Sequence, residues 1–97
     1  MTFEEFKASL SGDDPPAGLP DLLEAMWQAG KGNWDLAHNL IQDLDGANAA
    51  WVHAYLHREE GDRSNANYWY RRANRAMPDL SLEEEWAQIT AELLQPA

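Results

Sequence analysis

Glycine and proline cut this chain into pieces too short for anything but small helices, and the pieces repeat their apolar residues at helical spacing. Residues 2–10 read as a helix with Thr2 as N-cap and Phe3, Phe6 and Leu10 on one stripe. The stretch 11–18, SGDDPPAG, reads as a linker, because its paired prolines cannot continue a helix. Pro20 suits the first turn of a helix over 20–30 that carries Leu22, Leu23, Met26 and Trp27, and Gly30 with Gly32 stops it. Asn33 is expected to cap a helix over 34–44, ended by Asp45-Gly46. A fourth helix, 47–60, runs to Gly61, and Asp62 or Ser64 caps a fifth, 63–77, which Pro78 ends. Ser81 and Glu84 make a capping box for a sixth helix, 81–95. No segment alternates with period two for long enough to make a strand, so the expected class is all-α.

A 97-residue chain is one domain, expected here as two antiparallel helical hairpins, about 19–45 and 46–78, covered by the N- and C-terminal helices. Five tryptophans in so short a chain must fill core volume or sit on a contact surface. The formal charge of −10 makes nucleic acid and anionic membrane poor partners. That charge is uneven. Five arginines against three acids leave residues 58–75 at +2, while two lysines against fourteen acids leave the rest at −12. Ordinary ion pairs on a solvated helix face account for this, and so does self-association of the arginine-rich face with the acidic remainder. The chain has no cysteine, no apolar run of signal-peptide length and no membrane span, so a cytoplasmic location is expected.

Two segments align without gaps, GNWDLAHNLIQDL from Gly32 and GDRSNANYWYRRA from Gly61. Each opens on glycine, has alanine five residues later (Ala37, Ala66) and a larger apolar residue four beyond that (Ile41, Tyr70). Ala54, Gly61, Ala66, Tyr70, Ala73 and Pro78 together resemble the tetratricopeptide repeat, although the 29-residue spacing from Gly32 to Gly61 is shorter than the family's ~34. A closer resemblance, through His38, Gln42, Trp51, His53, His57-Arg58, Glu60-Gly61-Asp62, Asn65-Ala66 and Tyr68-Trp69, is to a group of small bacterial and fungal proteins with no assigned activity.

The tetratricopeptide resemblance implies a concave groove lined by the first helix of each unit. Its candidates are Met26, Trp51, Tyr55, Arg58 and Trp86, a surface for a peptide segment or a second copy of the chain. The N-terminal helix, through Phe3, Phe6 and Leu10, is the competing occupant. Arg58, Glu60, Asp62 and Asn65 surround the turn at Gly61; they either brace that turn or recognise a small carboxylate or phosphate.

The third candidate is histidine. His53 and His57 are four apart, hence on one helix face, and His38 and His53 stand seven residues either side of Asp45-Gly46. A chain folded back at that turn brings all three imidazoles together, a donor set suited to zinc or another divalent metal. Internal hydrogen bonding satisfies the same three side chains equally well, and HAYLH lacks the glutamate of the zinc-protease pattern. Two functions therefore stand open. One is a non-catalytic interaction module without cofactor. The other is a small metal- or anion-binding protein, hydrolytic if the metal retains a reactive water.

Overall fold

The computed structural model describes residues 1–95 and is all-α, with no strand among the described residues. Its helices are α1 (Phe3–Ser9), α2 (Asp21–Gly30), α3 (Trp34–Ile41), α4 (Ala47–Glu59), α5 (Arg63–Arg72) and α6 (Leu82–Leu94). None is long and apolar enough to cross a membrane. Sequence neighbours pack together, α2 on α3 and α4 on α5, while α6 lies against α2 and α4 and α1 lies against α6.

The helix ends follow from local chemistry. Thr2 with Glu5 and Ser81 with Glu84 both form reciprocal capping boxes, and Asp62 caps α5 by accepting from the Asn65 amide at 3.2 Å. Asn33 precedes α3 but does not cap it, because its side-chain amide donates back to Gln28 Oε1. At Gly32 and Gly61 the chain turns left-handed, with φ of 82° and 89°. The two following amides then reach the carbonyls of Gln28 and His57.

Two helices are shorter than expected. α5 stops at Arg72 because Asn74, at φ 63°, takes the same left-handed cap, with the Arg75 amide donating to the Tyr70 carbonyl at 2.9 Å. α3 stops at Ile41, and residues 42–46 form a turn that leaves Leu44 exposed.

The core runs through the centre of α2, α4, α5 and α6, with Met26, Trp27, Val52, Leu56, Tyr70 and Ile89 fully or almost fully buried. Each large apolar side chain so placed contributes about 1.5–3 kcal/mol. α4 is the central element, with an unbroken run of buried residues from Ala49 to His57. Two of those buried residues are histidines, and they define the site.

Candidate functional site

The histidine cluster sits where α3, α4 and α5 meet. His53 and His57 occupy one face of α4, and His38 reaches them from α3 across the turn at Gly46. His38 Nε2 and His53 Nε2 are 3.1 Å apart, and one nitrogen from each of the three rings lies within 4.8 Å of the others. His53 and His57 are buried, at 6% and 7% exposure, and His38 is half-buried, so the cluster opens to solvent on the α3 side.

Aromatic walls hold the rings. Trp34 stacks on His38 with centroids 4.8 Å apart, and its indole N–H donates to the Leu56 carbonyl at 2.7 Å, which ties α3 to α4. Trp69 of α5 stacks on His53 at 3.9 Å and 14°. Glu60 Oε1 lies 2.7 Å from His57 Nδ1. A carboxylate only accepts, so His57 Nδ1 carries the hydrogen that Glu60 receives.

Burial, with the neighbouring His38 and His57 adding repulsion, holds the His53 imidazole down at a pKa of about 4. Burial and His57 also lower His38, with Glu60 and Asp35 opposing. Both rings are therefore neutral at pH 7. His53 is protonated in the unfolded chain below its ordinary pKa of about 6.5 but resists protonation in the folded one. The metal-free protein should lose stability as pH falls from about 6.5 towards 4, and His53→Gln should flatten that dependence. Urea melts of both proteins at pH 7.5 and 5 measure it.

A second polar cluster is structural. The carboxylate of Glu85 is fully buried and accepts the Tyr70 hydroxyl at 2.7 Å, Arg58 Nη1 at 2.8 Å and Trp51 Nε1 at 3.2 Å. Arg58 also donates to the Leu80 carbonyl. Arg58 and Asn65 therefore do not face each other across the turn at Gly61. Arg58 points inward, Glu60 serves His57 and Asp62 serves the α5 cap, so those four residues form no single recognition site.

The expected aromatic groove is mostly filled, with a pocket of about 340 Å³ left against Tyr55 and Trp86. Met26, Trp51, Tyr55 and Trp86 are 0%, 2%, 3% and 7% exposed. The Trp86 indole donates to the Met26 carbonyl at 2.8 Å, and Phe3 and Phe6 pack on Trp86 with centroids 6.0 Å away. The chain's own α1 and α6 cover much of that surface.

No protein family, curated protein or solved structure matches this chain. Sequence reasoning identified the three histidines and missed what supports them. Trp34 stands one turn before His38 on α3 itself, whereas Trp69 reaches His53 from α5, a pairing that no local spacing specifies. Glu85 gave no signal, because an acid in the first turn of a helix is ordinarily solvated.

Proposed function

We propose that this protein is a small helical metal-binding protein in which His38, His53 and His57 hold one divalent ion of the zinc type through their Nε2 atoms. The observation that carries this reading is the 3.1 Å approach of two Nε2 atoms from different helices. With metal–nitrogen bonds of 2.0–2.1 Å, the edge of a tetrahedral site is about 3.3 Å, so His38 and His53 already stand close to the required spacing. Neutral imidazoles suit such an ion, and the Glu60 carboxylate behind His57 Nδ1 is the outer support that metal-bound histidines commonly have. Oxygen-seeking magnesium or calcium fits this donor set poorly.

Three protein ligands leave a fourth position for water or a small ligand. Binding is preferred over turnover because Glu60, the acid nearest the cluster, is engaged by His57 and is not free to act as a base. The helix order and the glycine caps support a tetratricopeptide-like pair of hairpins as the scaffold, here with its concave side filled internally. A cysteine-free chain is at home in the cytoplasm, which we adopt as its location.

Cobalt(II) tests the proposal, because tetrahedral nitrogen ligation gives visible absorption bands. Metal-stripped protein should take up one equivalent, displaced by zinc. His38→Gln and His53→Gln should abolish the bands, and Glu60→Gln should weaken affinity by about 10–100-fold. Cobalt and zinc uptake no greater than that of the His38/His53/His57 triple glutamine variant would refute it.

A further inference from the structure

A groove of about 630 Å³ lies beside the histidine cluster. It is lined by Gln42, Asp43, Asp45, Ala50, Trp69 and Arg72, among others. Gln42 follows His38 by four residues and Ala50 precedes His53 by three, so the groove adjoins the cluster without including a histidine in its lining. Trp69 belongs to both places, since its ring stacks on His53 and also lines the groove.

Arg72 is exposed and forms no ion pair among the described residues, although Asp43 and Asp45 line the same groove. Its guanidinium rests near the rings of Tyr68 and Trp69, 5.7 Å and 5.3 Å from their centroids. Those contacts leave its donors open to the groove apart from a long 3.4 Å bond to the Tyr68 hydroxyl. Neither Asp43 nor Asp45 pairs with it.

The geometry points to a compact dicarboxylate as the ligand of this groove, with one carboxylate at the metal's fourth position and the other forked by the Arg72 guanidinium. This inference rests on the metal reading above. The charges make it conditional on the ion. One arginine and two aspartates give the metal-free groove a net negative charge, which repels anions. A divalent ion on three neutral imidazoles reverses that sign within a Debye length of about 8 Å. A guanidinium facing a carboxylate adds bidentate geometry that a monocarboxylate on the metal alone cannot use. Metal and dicarboxylate should therefore tighten each other's binding by the same factor.

Succinate is the probe, with acetate as its single-carboxylate control. Titrated into the cobalt-loaded protein, succinate should shift the visible bands saturably and bind at least about tenfold more tightly than acetate. Calorimetry on the metal-stripped protein should show no succinate binding. Arg72→Gln should remove the succinate advantage while leaving cobalt affinity within about twofold, and Arg72→Lys should restore only part of it. Equal succinate affinity in the wild type and Arg72→Gln would overturn the proposal, as would succinate binding to metal-free protein or unchanged bands. Failure of cobalt to bind at all would instead refute the metal reading, and this inference with it.

Discussion

Glu85→Ala should cost this protein about 3–5 kcal/mol, the penalty for leaving a buried charge without its partner. The Glu85 carboxylate is fully buried and collects donors from two other helices, Trp51 and Arg58 on α4 and Tyr70 on α5. Removing it strands an arginine whose side chain is only 15% exposed and leaves a buried tyrosine hydroxyl without an acceptor. For a domain with about 5–15 kcal/mol of total stability the loss is severe, a fall in melting temperature beyond about 12 °C. The double variant Arg58→Met/Glu85→Leu should recover most of it, because it removes both charges instead of orphaning one. Urea denaturation of the three proteins decides the matter. A Glu85→Ala unfolding free energy within about 1 kcal/mol of wild type would show that the carboxylate ties nothing together.

That network marks the boundary of what the amino-acid order made legible. Helical period and glycine position are local, and they located all six helices; the left-handed turns at Gly32 and Gly61 follow because no other residue adopts them so cheaply. The early end of α5 was missed because asparagine performs the same cap at Asn74 without announcing itself, and Pro78 drew the boundary five residues too far. Convergence of His38 with His53 was readable because one turn separates their helices and the residue count on either side is equal. Burial of the groove candidates was illegible for a non-local reason. Whether Trp51, Tyr55 and Trp86 face a partner depends on where α1 and α6 fold back, and those helices are joined by linkers whose path no short-range pattern specifies. Arg58 was misplaced on the same ground, since its partner Glu85 lies 27 residues away.

Zinc at about a hundred times its dissociation constant should raise the melting temperature by roughly 10–20 °C. The estimate combines a linkage gain of about 2.7 kcal/mol with about 4–8 °C per kcal/mol for a domain of this size. The gain has a definite mechanical origin. His38 stands on α3 and His53 and His57 on α4, so an ion shared among them staples two helices that the turn at residues 42–46 otherwise joins. His38 is the half-buried member, so His38→Gln should leave the metal-free melting temperature nearly unchanged and still abolish the zinc increment. That pattern separates a metal site from a packing role, because a merely structural histidine would lower the metal-free value instead. The increment should shrink as pH falls towards about 4, where protons begin to compete for the His53 imidazole that burial keeps neutral above that range. An equal zinc increment in wild type and in His38→Gln would place the ion elsewhere, on the carboxylates that this acidic chain has in excess.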